Sequence, residues 1–137
     1  MVVDGLNGFG VFWATEKAAG AESFTPGDIG DMTLRAHEIG AKLYLAVNTL
    51  LFDEEFDRAA RTLDHAAECG VDAVILWDKG MLELARERGL RIHLSTQASA
   101  ANSRAVRFYE AAGVDRIVLA RELSLDQIRG VIREVRG

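Results

Sequence analysis

One phrase recurs along the chain: a glycine, an apolar residue, one or two small or polar residues, then a short apolar run closing on a polar side chain. It is written Gly40-AKLYLAV-Asn48, Gly70-VDAVILW-Asp78, Gly89-LRIHLST-Gln97 and Gly113-VDRIVLA-Arg121. The glycine suits the left-handed backbone position that closes a helix. The apolar run has the length of a buried strand. Between the phrases the period changes to that of a helix. Phe56, Ala59, Ala60, Leu63, Ala66 and Ala67 recur at the i, i+3, i+4, i+7 spacing of one helical face. Helix starts are also written into the chain. Thr25, Pro26 and Asp28 supply a cap, a first-turn proline and a first-turn acid. Ser124 and Gln127 have capping-box spacing.

These signals predict strands near 10–14, 42–47, 73–77, 92–96 and 116–120. They predict helices near 26–39, 53–69, 79–88, 99–112 and 125–136. Strands alternating with helices imply βαβ crossovers and a parallel sheet. The fold class is therefore α/β with five βα units, and residues 1–137 read as a single domain. Residues 1–25 carry the least regular pattern. Two architectures fit. One is part of a (β/α) TIM barrel, which normally needs at least about 200 residues. The other is an open, flavodoxin-like doubly wound sheet. Strand polarity leans toward the barrel. Ile92, Leu94 and Thr96 share one face of the fourth strand, with His93, Ser95 and Gln97 on the other. A sheet covered by helices on both sides prefers two apolar faces.

Composition narrows the class. Of 137 residues, 49% are hydrophobic and 27% charged, as in an ordinary globular chain. No apolar run reaches the length of about 18 residues expected of a membrane span. No basic stretch leads into an apolar signal core, so a cytoplasmic protein is expected. Cys69 is the single cysteine and has no intrachain partner. The net charge of −5 gives no general footprint for nucleic acid. Arginines do concentrate in the second half, but helical arginines mostly solvate surfaces and pair with glutamates, so RNA is not the favoured partner.

In both architectures active sites lie at the carboxyl ends of the strands. Trp13, Asn48, Asp78, Thr96, Gln97, Arg121 and Glu122 fall there. Asp78 and Glu122 offer an acid and a base, Arg121 a cation, and Asn48 and Gln97 amide groups. Helix capping is an equally good account of Asp78 and Asn48. Arg121 and Glu122 share one lumen only if the strand ends at them. His93, on the polar face, suits an acid, a base, a metal ligand or a buried hydrogen-bonding role. His65 and Cys69 are i, i+4 neighbours, but their helix end points to the opposite edge of the sheet. There is no phosphate loop, no zinc helix and no nucleophile elbow. The three histidines are scattered, and no metal spacing results.

The stretches Val47-NTLL-Phe52, Val71-DAVILWDKG, His93-LSTQAS-Ser99, Asn102-SRAVRFY and Arg116-IVLARELSL-Leu125 resemble the collagenase-like peptidases of family U-32. The resemblance runs from about Phe24 to Leu125. It implies a barrel-like catalytic domain and a hydrolase, in a family whose members are proteases or take part in oxygen-independent hydroxylation of RNA or the ubiquinone ring. By matching motif it implies Asp78, His93, Arg121 and Glu122 as catalytic positions, and Asn48, Thr96, Gln97 and Asn102 as substrate-binding ones. The hydroxylating relatives carry a downstream iron–sulfur cluster. Such a cluster needs about four thiolates, so no cofactor and no metal are expected in this chain. The usual first βα unit, an arginine-rich stretch at 15–23 and the cysteine-rich motif are missing. A truncated member is the resulting expectation, completed by a second copy or by a larger partner subunit. The alternative is a non-catalytic module of a hydroxylase-type protein.

Overall fold

Four glycines set the repeat. Gly40, Gly70, Gly89 and Gly113 have φ of 71°, 70°, 66° and 90°, values that other residues rarely adopt. After each glycine the next residue's N–H returns to a carbonyl five positions back: Ala41 to Ala36, Val71 to Ala66, Leu90 to Ala85 and Val114 to Tyr109, at 2.8–3.2 Å. This bond satisfies an orphan carbonyl at the helix end and aims the chain into a strand.

The computed structural model describes residues 9–12 and 26–136. The elements are β1 (Phe9–Phe12), α1 (Pro26–Glu38), β2 (Leu43–Ala46), α2 (Phe56–Glu68), β3 (Ala73–Leu76), α3 (Lys79–Glu87), β4 (Ile92–Leu94), α4 (Ser103–Ala111), β5 (Arg116–Ile117) and α5 (Leu125–Arg136). Short 3-10 turns at Asp53–Glu55 and Thr96–Ala98 precede α2 and α4. Thr25, the expected cap of α1, and Trp13 lie outside the described residues. So does the carboxyl half of the first expected strand.

Strand order separates the two architectures. The five strands are parallel and lie in the order β1-β2-β3-β4-β5. A flavodoxin-like sheet has the order 2-1-3-4-5, and its reversal distributes helices over both faces. Here the chain always steps in the same direction. With crossovers of one hand, all helices then fall on one face. α1 accordingly packs on α2, α2 on α3, and α4 on α5. The arrangement is that of a (β/α) barrel, of which these are five units where a closed barrel has eight.

The core lies between sheet and helices. Registered neighbours share a face, so Leu45, Val74 and Ile92 form one row, and Leu76, Leu94 and Ile117 the next. All six are buried, beneath Leu63, Ala66, Met81, Ala85, Val106 and Val131. Each large side chain so buried contributes roughly 1.5–3 kcal/mol. The opposite face carries the row Ala46, Ile75, His93 and Arg116. It mixes apolar, neutral polar and charged groups, as the alternation along β4 predicts.

Several boundaries differ from the sequence pattern: α2 begins at Phe56 after a 3-10 turn rather than near 53, and β4 stops at Leu94 rather than near 96. α4 begins at Ser103 rather than near Ser99, because Ser99 is left-handed at φ 51° and Asn102 supplies the cap. β5 stops at Ile117 rather than near Ala120. Val118 N–H still reaches Leu94, but Ala120 N–H turns away to the Ala100 carbonyl, 2.9 Å. No helix among the described residues is long and apolar enough to cross a membrane.

Candidate functional site

The carboxyl ends of the parallel strands open on one rim. Asn48, Asp78 and Thr96 each stand two residues beyond the last residue of β2, β3 and β4. Their local roles differ. The Asp78 carboxylate accepts the Met81 N–H at 3.1 Å and caps α3. The extended backbone of Asp78 directs its side chain back over the helix start, which is why an aspartate suits the position. Asn102 caps α4 in the same way, its Oδ1 accepting the Ala105 N–H at 2.9 Å. Buried Ser95 accepts the Gln97 N–H at 3.4 Å and shapes the Thr96–Ala98 turn. Trp77 Nε1 donates to the Asn48 carbonyl at 3.1 Å and ties the loops after β2 and β3 together. Asn48 and Thr96 are half-buried, whereas Gln97, Arg121 and Glu122 are exposed in turns.

His93 is not part of that rim. Its register partner is Ile75, and Asp78 lies three residues further along β3, roughly 10 Å at the rise of a strand. The His93 ring instead meets Tyr44 edge-on, with centroids 4.7 Å apart, and lines a groove with Lys42, Arg91 and Arg116 at the amino ends of the strands. Burial, followed by the charge of Arg116, lowers its pKa to about 4; Arg91 and Lys42 add to the effect against a single opposing Asp115. The imidazole is therefore neutral at pH 7. The four expected catalytic residues fall into two places: Asp78, Arg121 and Glu122 after strand ends, and His93 toward the opposite edge.

The sequence reading overlooked two aspartates. Asp72 accepts the Leu43 N–H at 2.7 Å and meets His37 Nε2 at 3.0 Å. Asp115 accepts the Ile92 N–H at 2.8 Å. Each ties the start of one strand to the start of the strand before it. Burial raises the Asp72 carboxyl, but the bonds from His37 and Leu43 and the charges of His37 and Lys42 outweigh it and hold the pKa below the usual value. The signal was present: Val-Asp follows the glycine in two of the four repeats. Cys69 and His65 do meet, Sγ to Nε2 at 3.4 Å, as their spacing predicts. Burial and then Glu68 raise the thiol pKa, so Cys69 is a protonated thiol rather than a thiolate nucleophile.

The sequence matches the profile of Peptidase family U32 over residues 3–137. The chain belongs to peptidase family U32. Among curated relatives, it is 36% identical to a collagenase of Porphyromonas gingivalis over 90% of this chain and 30% of the relative. It is 37% identical to an uncharacterized protease of Methanocaldococcus jannaschii over 82% of this chain and 28% of the relative. It is 40% identical to a 23S rRNA 5-hydroxycytidine synthase of Escherichia coli over 76% of this chain and 16% of the relative. The chain thus spans less than a third of the length of these proteins. Among solved structures, a U32 peptidase superposes with a TM-score of 0.67 at 19% identity, over 83% of this chain and 50% of that one. A deoxyribose phosphate aldolase of Aeropyrum pernix gives 0.52 at 13% identity, over 82% and 57%. Both likenesses concern the fold, and they agree with the sequential strand order.

Proposed function

We propose that this chain forms the substrate-binding half of a U32-type hydrolase site, with the rim after β2 to β5 facing the substrate. The observation that carries the reading is the sequential parallel sheet of a U32 chain, which brings Asn48, Thr96, Gln97, Arg121 and Glu122 to one edge. These side chains supply amides, a hydroxyl, a guanidinium and a carboxylate. In the reading, Arg121 holds an anionic group of the substrate, since a guanidinium pairs bidentately with carboxylate or phosphate. Glu122 is the acid–base group. Asp78 and Asn102 first of all position the rim, because their side chains hold α3 and α4. The remaining walls come from the rest of a barrel, in a second copy or a larger partner. The cytoplasm is the compartment in this reading.

An iron–sulfur cluster does not fit the side chains present. Cys69 is the single thiol, its proton is held more tightly than usual, and it leans on His65.

A second reading has its own observation. The relatives include tRNA hydroxylation protein P of Escherichia coli, 38% identical over 73% of this chain, beside the rRNA synthase. In that reading the chain is a partner-completed module of a hydroxylating assembly. The test is to purify the chain with whatever it assembles with and to measure peptide cleavage and RNA hydroxylation, each with Glu122→Gln and Arg121→Ala. Loss of peptide cleavage in both variants supports the hydrolase site. Loss of hydroxylation alone supports the module. Unchanged activity in both assays removes the rim assignment.

A further inference from the structure

The opposite edge of the sheet gathers positive charge around one groove. Lys42 and Arg91 immediately precede β2 and β4, and Arg116 opens β5. Parallel strands start on one edge, so the three side chains line one open groove of about 480 Å³. Among the described residues none of the three has a carboxylate within ion-pair distance. The fourth cation of the groove, Arg88, is engaged by Asp64 at 2.6 Å and by the Leu84 carbonyl at 3.0 Å. Asp72, the acid on its wall, is engaged by His37 and Leu43. In a chain of net charge −5, three cations without an ion-pair contact around one depression, faced by Asp72 and Asp115, still leave a local excess of positive charge.

His93 supplies the second, independent observation. It is 7% exposed, lines the groove, and makes no hydrogen bond with its ring nitrogens among the described residues. Its recorded contact is the edge-on Tyr44 ring, over which Arg116 also stands at 5.9 Å. No side-chain nitrogen or oxygen among the described residues is both buried and unpartnered, so the His93 ring nitrogens reach the open groove, where a ligand can meet them. An imidazole next to cations is best served by a partner that accepts from it and neutralises them.

We propose that this groove binds a phosphate-type dianion, held by Lys42, Arg91 and Arg116, with the His93 imidazole donating to it. A dianion matches several full positive charges better than a monocarboxylate does. The carboxyl ends of α2 and α3 also border the groove and oppose an anion, but each carries only about half a charge. The ion is either free phosphate or the phosphate of a small ester. This site lies at the sheet edge opposite the rim and does not depend on the reading of the rim.

The test titrates the whole chain at low salt with inorganic phosphate, with glycerol 3-phosphate and with a short single-stranded RNA. It follows backbone amide and histidine ring resonances. Saturable shifts centred on His93, Arg116 and Lys42 are expected, with the His93 titration midpoint moving upward as the anion binds. Arg91→Ala with Arg116→Ala weakens phosphate binding by about tenfold or more. Arg104→Ala, an exposed arginine on α4, leaves it unchanged. If the double variant does not fold, Lys42→Gln and Arg91→Gln, at exposed positions ahead of their strands, replace it with the same expectation. Tighter binding of the ester identifies an ester ligand, and equal binding identifies free phosphate. Shifts scattered over the arginines of α4 and α5, affinity unaltered by removing the groove cations, or RNA binding at these residues that phosphate does not displace would each overturn the proposal.

Discussion

The two edges of the sheet are built from the same repeat and end in opposite chemical states. At the carboxyl rim, some of the polar side chains are spent on their own backbone: Asp78 and Asn102 cap helices and Ser95 closes a turn, while Gln97, Arg121 and Glu122 stay exposed. At the amino edge, two aspartates clip neighbouring strands, while three cations and a histidine stay without such partners. The difference teaches that polarity alone does not locate a site. A polar residue at a strand end is first a solution to the next helix's unpaired N–H groups. Only what remains after that accounting is free for a ligand.

Both edges hang on one core, so the largest effect is common to them. Leu94→Ala, at a fully buried position registered between Leu76 and Ile117, should destabilise by about 2–5 kcal/mol. Urea unfolding measures it. A loss below about 1 kcal/mol would mean that the sheet–helix layer is not the common support.

Acid comes next and strikes the amino edge first. His93 has a folded pKa of about 4 against 6.5 for the free group. Between those values the unfolded chain binds a proton that the native state refuses. The stabilisation is therefore complete above pH 6.5 and falls by up to about 3 kcal/mol as the pH drops to about 4. Below that, both states are protonated and His93 adds no further slope. Asp72 has the depressed pKa of a bonded carboxylate, so its contribution is lost only at lower pH, as protonation reaches its folded pKa. A His93→Gln variant should flatten the upper limb of the stability–pH curve. A limb that survives the substitution would place its origin elsewhere.

The clips and the caps give the direct contrast. Asp115→Ala leaves the Ile92 N–H without its charged acceptor and should cost about 1–3 kcal/mol. Asp78→Ala removes a cap at the opposite edge and should cost about 1 kcal/mol. Thermal melts of both variants at neutral pH rank the two. The reverse order would show that the rim, not the amino edge, holds the units together. The smallest effect belongs to neither edge: Arg129→Ala breaks an exposed pair with Asp126 on α5 and should change stability by less than about 0.5 kcal/mol.

Much of this architecture was legible because its signals are local. A glycine with positive φ, a capping box such as Ser124–Gln127 and a helical apolar stripe act within a few residues. The capping role of Asp78 was one of two readings available in the sequence, and the cap is what the fold shows. The length of β5 was not legible. Val118 and Leu119 look like strand residues, yet Ala120 bonds to Ala100, and nothing within the run announces that competitor. The placement of His93 was half legible. Alternation put it on the polar face, but its separation from Asp78 follows from register with β3.

By itself the sequence determined the repeat, the helix ends, the parallel βα class and the family, because each is carried by short-range backbone preference or by motif. Tertiary structure decided the sequential strand order, the one-sided helix layer and the division of polar groups between two edges. Asp72 and Asp115 reach backbone N–H groups in other strands, and His93 loses its charge to burial and to cations from three different strand starts. Apart from Arg91, those partners are distant in sequence and adjacent only because the sheet closes the gap. For the same reason Asp78 and Asn102 serve as helix caps at the rim, while cations from three strand starts gather at the other end.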